Sequence, residues 1–460
     1  MTAPSSSSPQ TIAIVGAGLT GLTTAFYLLR AGHEVMVLEQ APRVGGQIAS
    51  FEREGFVYES GPNTGVISHP EVAELLDDLG GGLLRTARPE AKARWIWQAN
   101  GFRALPSSLR TAIATPLFSW RDKLRILGEP FRRRGTDPNE SIAALARRRL
   151  GATFVRNAID PFISGVYAGD PAQLVTRFAL PRLYALEQNH GSFVRGALAK
   201  MRQPRSDRDR RATKEVWTTV GGLERLIEAL AAQIGDQRII TSVGELQIRP
   251  AAGEKGWQLA FNHDGQPRLL HADQVVTTCP AYALPGLLPF VASDELAPFT
   301  ALRYAPVVQA AVAVSHLRGQ ELAAFGGLVP SAEGERVLGI LFPSSCFAHR
   351  APEGGALLSV FMGGMRHPDL VAMPDAELRA IVEDAVERML GVDRRDIAFV
   401  EIFRHPRAIP QYEASTEQRL ALIDRLQTQH AGLTIGGNLR DGIGMADRIK
   451  QARHIAATLC

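Results

Sequence analysis

The sequence predicts an α/β fold, with α+β character in its later part, and three observations support this prediction. Residues 11–39 read TIAIVGAGLTGLTTAFYLLRAGHEVMVLE and combine a β-branched strand, a glycine turn, an amphipathic helix and a second strand, which is one βαβ unit. Strand-like runs between 238 and 363 alternate with turn residues, which is typical of an antiparallel or mixed sheet. Helical spacing dominates residues 70–150 and returns at 375–390.

The composition is that of a globular protein. The 460 residues are 45% hydrophobic and 21% charged, and their number allows about three domains of ~150 residues. Cys279, Cys346 and Cys460 are too far apart for a disulfide framework or a cysteine metal cluster, so we expect no metal site and a reducing compartment. No signal peptide or long apolar run is recognisable, which predicts a cytoplasmic protein.

Positive charge is concentrated in one part of the chain. The formal net charge is only +4, but residues 94–149 hold 12 basic and 4 acidic side chains, and residues 200–214 hold 7 and 2. The remainder is therefore acidic. Because the positive charge is confined to a local insertion and is not spread over the whole surface, we expect no nucleic acid among the partners.

The first βαβ unit carries a G-x-G-x-x-G motif with an acidic residue at the end of its second strand. Gly16 permits the tight turn, Gly18 lets a diphosphate approach the backbone, and Gly21 lets the helix pack closely on the strand. The helix N-terminus then faces the phosphates. Glu39 can accept hydrogen bonds from both ribose hydroxyls, and it would repel a 2′-phosphate. The motif in this context predicts dinucleotide binding.

The segment after Glu39 favours FAD over NAD. It reads APRVGGQI, in which Arg43 can meet a phosphate or a ribose while Gly45 and Gly46 permit a second close backbone approach. ESGPNTG follows at residues 59–65. This arrangement resembles the flavin-binding fold of the amine oxidase superfamily, whose extended nucleotide needs contacts beyond the first turn. The resemblance implies a Rossmann-like FAD-binding domain.

Two later segments resemble the same superfamily. SVGELQI around Val243 is similar to the strand that holds the adenine end of FAD through its backbone. GGNLRDGIGMADRIKQA is similar to the last flavin contact, where the backbone of residues 443–445 would start a helix beside the flavin. The candidate FAD-binding residues are therefore Gly16, Ala17, Gly18, Leu19, Thr20, Gly21, Glu39, Gln40, Arg43, Gly45, Gly46, Gly61, Pro62, Asn63, Thr64, Val243, Ile443, Gly444 and Met445.

The middle of the chain narrows the resemblance. DPFISGVYAGDPAQL at 160–174, FALPRLYALEQNHGSFVRG at 178–196 and GGNLRDGIG near the C-terminus together resemble the oxygen-dependent protoporphyrinogen and coproporphyrinogen oxidases of haem biosynthesis. This family resemblance implies oxidation of a porphyrinogen to a porphyrin, with six electrons removed by way of flavin N5, dioxygen as acceptor and hydrogen peroxide as product. It assigns no catalytic side chain, and no nucleophilic constellation is evident in the sequence.

The resemblance also implies substrate contacts. Arg94 aligns with the family's carboxylate-binding arginine, which can take a propionate through two parallel hydrogen bonds. Phe325, Leu328 and Phe361 are similar to the walls around the macrocycle, and Gly165 would leave room for its flat ring. Asn63 departs from family members that have an arginine in this segment, which puts a side-chain role at this position in doubt.

Alternative functions stay open at this point. Protoporphyrinogen IX is favoured over coproporphyrinogen III, which has two more propionates in place of two vinyl groups. An amine oxidase or a carotenoid desaturase would use the same flavin fold, and a third alternative is an FAD-binding carrier without turnover. Detection of peroxide on addition of a porphyrinogen would separate an oxidase from a carrier.

We expect three domains and a disordered tail at residues 1–10. The FAD domain combines 11–85, 215–290 and 410–460, a mixed-sheet substrate domain combines 86–99 and 291–409, and a helical insertion covers 100–205. Within that insertion, an apolar face and a basic face predict peripheral contact with an anionic membrane, on the inner face of the cell membrane. The apolar residues are Leu105, Leu109, Ile113, Leu117, Phe118 and Trp120, and the basic ones are Arg121, Lys123, Arg125 and Arg132 to Arg134. The family resemblance adds a homodimer as an expectation.

Overall fold

The computed structural model describes residues 8–253 and 255–460, the side chains of Glu90 and Leu109 excepted. Most of the predicted tail, residues 1–7, lies outside the described residues. Within the part described, no helix combines the length and the apolarity needed to cross a bilayer.

Helices occur along the whole chain and are densest between residues 109 and 210. They are α1 (Leu19–Arg30), α2 (Pro70–Asp78), α3 (Leu109–Ala114), α4 (Trp120–Leu127), α5 (Ile142–Arg149), α6 (Ala152–Phe154), α7 (Asp160–Tyr167), α8 (Thr176–Ala179), α9 (Pro181–His190), α10 (Phe193–Arg202), α11 (Asp207–Arg210), α12 (Glu224–Ile234), α13 (Leu284–Leu287), α14 (Ala297–Thr300), α15 (Pro343–Cys346), α16 (Asp375–Leu390), α17 (Thr416–Gln429) and α18 (Met445–Leu459).

Strands occur on both sides of this helical region. They are β1 (Thr11–Val15), β2 (Glu34–Leu38), β3 (Ser50–Arg53), β4 (Phe56–Glu59), β5 (Gly65–Val66), β6 (Leu84–Thr86), β7 (Arg94–Gln98), β8 (Gly101–Ala104), β9 (Val216–Thr219), β10 (Ile239–Ile240), β11 (Gly244–Pro250), β12 (Trp257–His263), β13 (Gln266–Ala272), β14 (Gln274–Thr277), β15 (Tyr304–Val314), β16 (Gly326–Leu328), β17 (Val337–Leu341), β18 (Ala356–Gly363), β19 (Ile397–Pro410) and β20 (Leu433–Ile435).

A five-stranded parallel sheet forms the first layer. Its strand order is β10-β2-β1-β14-β20, so it draws on three distant stretches of the chain. β1 lies at its centre and is apolar on both faces because helices cover one side and a second apolar cluster covers the other. Two of the covering helices, α1 and α18, pack against each other. The carboxyl ends of β1, β2 and β14 therefore open at one edge of the sheet.

A seven-stranded mixed sheet forms the second layer, in the order β19-β15-β18-β17-β16-β7-β8. Its pairs are antiparallel except for β16 and β7. One face packs on α16 through Val308, Val360 and Val382. The opposite face turns toward the first layer, since Gln309 on β15 donates to the carbonyl oxygen of Glu59 at 2.8 Å.

The structure corrects the prediction for residues 84–104, where helical spacing was expected. They form β6, β7 and β8, and β7 and β8 are a hairpin at one edge of the seven-stranded sheet. Residues 101–104 therefore belong to the mixed sheet and not to the helical region, whose predicted boundary at residue 100 was wrong. The α-helices of the insertion begin at Leu109.

The predicted apolar face of the insertion is also corrected. Leu117 and Phe118 are buried with Ile96, and Phe118 stacks on Phe154 with ring centroids 5.4 Å apart. Leu105 is half-buried, and the side chain of Leu109 lies outside the described residues. The apolar side chains that the insertion does expose are Ile113, Trp120, Leu124, Leu127, Phe131, Phe162, Val166, Val194, Leu198 and Met201.

Several basic side chains of the insertion are internal. Arg149 is fully buried and forms ion pairs with Glu129 at 3.0 Å and with Glu187 at 2.6 Å. Arg148 bridges Glu140 and Glu187. Because these arginines neutralise buried carboxylates, they hold the helices together and contribute little to the surface charge that the sequence suggested.

Candidate cofactor cavity and substrate wall

The glycine turn between β1 and α1 has the geometry that its residues require. Gly16 has a φ of +105°, and a Cβ on Gly21 would lie 1.9 Å from the Gly16 carbonyl oxygen, so neither position accepts a side chain. Gly18 is the N-cap of α1, and a Cβ there would meet nothing within 4 Å. The backbone at Gly18 therefore faces open space, at the positive end of the helix dipole.

Glu39 follows β2 and lies beside this turn. Its Oε2 accepts a hydrogen bond from the Ala17 amide at 2.6 Å, and its Oε1 accepts one from the Ala41 amide at 2.8 Å. The carbonyl oxygen of Glu39 accepts a hydrogen bond from the Val243 amide at 2.9 Å. These contacts hold the carboxylate at the mouth of the turn and bring the start of β11 next to it.

The second glycine pair, Gly45 and Gly46, forms a loop opposite the first turn. A Cβ on Gly46 would lie 3.5 Å from Gly18 Cα, so the two backbones face each other at close range. The guanidinium of Arg43 donates to the carbonyl oxygens of Gly46 and Ile48, at 2.7 and 3.0 Å. In the structure Arg43 thus holds its own loop, whereas a contact with phosphate or ribose was expected from the sequence.

The ESGPNTG segment links the two layers. A Cβ on Gly61 would lie 2.1 Å from the Gln47 carbonyl oxygen, so this loop packs directly on the preceding one. The Asn63 Oδ1 accepts a hydrogen bond from Ser359 on β18 at 2.6 Å, and its Nδ2 donates to the Gly61 carbonyl oxygen at 3.1 Å. The Asn63 side chain therefore fastens the loop to the seven-stranded sheet and is not free to reach a ligand.

The C-terminal glycine loop closes the far side. The Tyr412 hydroxyl lies 2.7 Å from the Asn438 carbonyl oxygen and 2.9 Å from that of Gly442, which holds the loop against β19. α18 begins at Met445 with Gly444 as its N-cap. Burial of Asp447 opposes its ionisation, but hydrogen bonding to His69 and the nearby charge of Arg448 hold its pKa below the usual value.

Together these loops line a cavity of about 1110 Å³. Twelve of the residues predicted from the sequence line it, namely Gly16, Gly18, Leu19, Thr20, Glu39, Gln40, Gly45, Gly46, Pro62, Val243, Ile443 and Met445. Seven others do not: Ala17, Gly21, Arg43, Gly61, Asn63, Thr64 and Gly444. Of these, Ala17, Gly21, Arg43, Gly61 and Asn63 act on the loops around the cavity through the contacts above, and Gly444 caps α18.

The predicted substrate residues lie outside this cavity, on the face of the seven-stranded sheet that turns toward it. Phe361, Gly339 and Leu328 are paired neighbours on β18, β17 and β16, so their side-chain positions share one face. Phe361 and Leu328 are half-buried. A Cβ on Gly339 would lie 2.8 Å from the Gly327 carbonyl oxygen and 3.3 Å from Leu328 Cδ2, so the Leu328 side chain covers this position of the apolar wall.

Helix α7 faces this wall with apolar residues and a glycine. Phe162, Gly165 and Val166 are exposed and share one face by their helical spacing. A Cβ on Gly165 would lie 2.4 Å from Leu328 Cδ2. The Leu328 side chain therefore occupies the room at Gly165 that the sequence analysis assigned to a flat ligand, and Gly165 serves the close approach of α7 to the wall.

Two arginines lie on the same face, toward its edge. Arg94 on β7 is two residues from Ile96, the parallel partner of Leu328, and its guanidinium lies 5.3 Å from the ring centre of Phe325. Arg103 on β8 pairs with Ile96. Among the described residues, neither guanidinium has an ion pair or a hydrogen bond. Two cations thus remain available beside the apolar wall.

Comparison with known proteins identifies the family. The model for "Flavin containing amine oxidoreductase" matches residues 19–459. The chain belongs to the flavin containing amine oxidoreductase family. Within that family it is 30% identical to the chloroplastic protoporphyrinogen oxidase of Nicotiana tabacum, over 96% of this chain and 84% of the relative. It is 31% identical to the protoporphyrinogen oxidase of Bos taurus, over 97% and 98%.

Solved structures agree on the fold. A crystal structure from Exiguobacterium sp. 255-15, of a protein provisionally named a protoporphyrinogen oxidase, superimposes with a TM-score of 0.80. It covers 99% of this chain and 99% of its own, at 23% identity. The α/β fold predicted from the sequence is therefore the fold of the flavin amine oxidoreductases.

The cavity fits the FAD of this family of oxidoreductases. It is lined by the glycine turn and Glu39, which suit a diphosphate and a ribose, and by residues at the start of α18. The backbone at Gly18 and Gly46 leaves room for a close approach. The adenine end can be held at Val243, and the flavin end at Pro62, Ile443 and Met445.

Sequence reasoning missed part of the cavity lining. The missed residues include Gln47, Ile48, Phe261, Asn262, Thr278, Cys279, Tyr282, Gly437, Asn438 and Arg448. Gly437 and Asn438 follow β20 directly, so the glycine cluster was a usable signal for them. Phe261 and Tyr282 reach the cavity only through tertiary packing of β12 and of the turn after β14, which has no local sequence pattern.

Proposed function

We propose that the protein oxidises protoporphyrinogen IX to protoporphyrin IX, with dioxygen as electron acceptor and hydrogen peroxide as product. The observation that carries this proposal is the near full-length match to protoporphyrinogen oxidases of plants and mammals, together with the apolar wall and its two arginines. When bound, FAD supplies a hydride acceptor and a group that dioxygen can reoxidise.

The wall residues orient such a substrate. The side-chain positions of Phe361, Gly339 and Leu328 form a surface against which a flat macrocycle can lie, and this surface excludes water from one side of it. Arg94 and Arg103 can each bind one propionate through charge-assisted hydrogen bonds. No side chain is required as a general base, because the pyrrole N–H protons can leave to solvent.

The same wall supports protoporphyrinogen IX over coproporphyrinogen III. Protoporphyrinogen IX has two propionates, which match the two unpaired arginines. The two further propionates of coproporphyrinogen III would meet apolar surface from Phe162, Val166 or Leu328, where an unpaired carboxylate is costly. The two vinyl groups of protoporphyrinogen IX suit that surface.

This function is tested by adding protoporphyrinogen IX or coproporphyrinogen III, in separate reactions, to the FAD-loaded protein. Without oxygen, protoporphyrinogen IX is expected to bleach the flavin absorbance. In air it is expected to give porphyrin fluorescence with about three peroxides per porphyrin, because six electrons leave in three two-electron steps. Coproporphyrinogen III is expected to react at least ~10-fold more slowly in kcat/KM. Unchanged flavin absorbance with both porphyrinogens would rule the proposal out.

We also propose that the helical insertion binds an anionic membrane surface. The apolar patch consists of Trp120, Leu124, Leu127, Phe131, Val194, Leu198 and Met201 on α4, on the turn after it and on α10. The turn packs on α10, because Glu129 accepts hydrogen bonds from the amides of Phe193 and Val194. Leu127 and Phe131 are 71% and 86% exposed, which is unusual for side chains of this size.

Cations border this apolar patch. Arg121, Arg133 and Arg195 are exposed on the same three segments, so an anionic headgroup layer can meet charge and apolar surface together. The inner face of the cell membrane offers such a layer.

Vesicle sedimentation at low salt tests the membrane contact. The wild-type protein is expected to sediment with phosphatidylglycerol vesicles, and L127E/F131E is expected to bind at least ~10-fold more weakly, because charge replaces two strongly exposed apolar groups of the patch. Leu269→Glu is the control, since Leu269 is exposed on β13, outside the patch. Wild-type protein that stays in the supernatant would contradict the proposal.

A further inference from the structure

Arg448 is a buried cation in the wall of the FAD cavity. It lies near the start of α18 and is only 7% exposed. Its Nη1 donates to Gln451 Oε1 at 2.9 Å, and its Nη2 donates to the Arg440 carbonyl oxygen at 2.8 Å. Its Nε–H is buried and meets no acceptor among the described residues. Burial lowers the pKa of this guanidinium.

No carboxylate within the described part of the chain forms an ion pair or a hydrogen bond with the Arg448 guanidinium, although the charges of Asp447 and Asp441 favour its protonated form. Asp447 is engaged elsewhere, since its Oδ2 accepts from the Gly444 amide at 3.2 Å and its Oδ1 lies 3.4 Å from His69 Nε2. The Asp441 Oδ2 accepts from Gln451 at 2.8 Å. A buried charge of this kind costs several kcal/mol unless an anion compensates it.

A chain of contacts connects Arg448 to the first glycine turn. Gln451 Oε1, which accepts from Arg448, also accepts from the Gly437 amide at 2.8 Å. A Cβ on Gly437 would lie 2.9 Å from the Thr278 carbonyl oxygen, and Thr278 Oγ1 donates to the Gly16 carbonyl oxygen at 3.0 Å. The guanidinium is therefore linked to the turn from which α1 begins, and Arg448 and Gly18 line the same cavity.

We propose that Arg448 binds the diphosphate of FAD. The N-terminus of α1 offers this group backbone amides and a partial positive charge only. Arg268 is the other arginine that lines the cavity within the described residues, and it is exposed on β13. Arg448 thus supplies a buried full charge that complements a diphosphate in this cavity. This inference rests on family membership and is independent of the substrate proposed above.

The test measures FAD affinity and apoprotein stability separately. Arg448→Gln is expected to weaken FAD binding by about 10- to 100-fold, measured by quenching of flavin fluorescence on titration of the apoprotein. Arg448→Lys, which keeps the charge, is expected to fall between this variant and wild type. The melting temperature of the R448Q apoprotein is expected to equal or exceed that of wild type, because an uncompensated buried charge has been removed.

The control variant is Lys450→Gln, which removes an exposed charge from the same helix and is expected to leave the Kd for FAD within twofold of wild type. Two results would overturn the proposal. One is an R448Q protein whose FAD affinity stays within twofold of wild type. The other is an R448Q apoprotein that melts several degrees lower, since that would show that Arg448 supports the fold and not the ligand.

Discussion

Replacing Arg149 by alanine is expected to lower the free energy of unfolding by about 3–5 kcal/mol. The side chain is fully buried and lies between Glu129 and Glu187, whose side chains are also buried. It also donates to the carbonyl oxygen of Gly191 at 2.5 Å. Its removal leaves the buried Glu129 carboxylate without an ion pair and leaves Glu187 paired with Arg148 alone. Urea unfolding followed by circular dichroism measures the loss.

Arg147→Ala is the matched control for this prediction. Arg147 is on the same helix but is exposed, and its side chain forms no ion pair in the described structure. We expect this variant to change the free energy of unfolding by less than about 0.5 kcal/mol. An R149A protein as stable as R147A would show that the buried network contributes nothing to the fold.

Replacing Arg94 by glutamine is expected to reduce kcat/KM for protoporphyrinogen IX by about 10- to 100-fold, mostly through KM. The variant loses the charge-assisted hydrogen bond that the Arg94 guanidinium would donate to a propionate, whereas the flavin site and the apolar wall are unchanged. Steady-state porphyrin fluorescence gives the two constants. Arg94 is exposed, so the melting temperature should stay within a degree or two of wild type.

Two further variants define the role of Arg94. Arg94→Lys keeps the charge but loses the two-pronged geometry, and we expect it to recover part of the activity. Arg110→Gln removes an exposed arginine of α3 and should leave kcat/KM unchanged. If R94Q and R110Q have equal effects, Arg94 makes no specific contact with the substrate.

Long and regular elements were predictable from the sequence. DAELRAIVEDAVERML has the apolar spacing of one buried helix face, and α16 has these bounds. The alternation in WQLAFNH predicts a strand, and β12 covers these residues. The glycine turn was predictable residue by residue, because the backbone requires Gly16 and Gly21 and because Gly18 leaves room for a ligand.

The β7–β8 hairpin shows why other elements were missed. Its turn consists of Ala99 and Asn100, both with positive φ, and Gln98 pairs with Gly101. Such two-residue turns usually read Asn-Gly or Asp-Gly, and alanine at the first position hides the signal. The flanking residues are mostly aromatic and basic, so their alternation between the two faces of the sheet is hard to recognise.

The candidate site also contains residues that were predictable from the sequence and residues that were not. The loops around FAD were found because glycines and prolines mark them in the sequence. Arg448 and Arg103 were missed because a single arginine in a helix or strand is usually a solvated surface residue. The first is held against the C-terminal glycine loop through the Arg440 carbonyl oxygen, and only the register of β7 with β8 aligns the second with the wall.

The order of strands in the parallel sheet has a consequence for biosynthesis. β14 lies between β1 and β20 in the sheet, but β20 is more than 400 residues downstream of β1 in the chain. A nascent chain therefore exposes the apolar edge of β14 and one face of α1 until β20 and α18 leave the ribosome. During synthesis this edge is open to aggregation and is expected to need a chaperone, and FAD can be retained only after the last helix has docked.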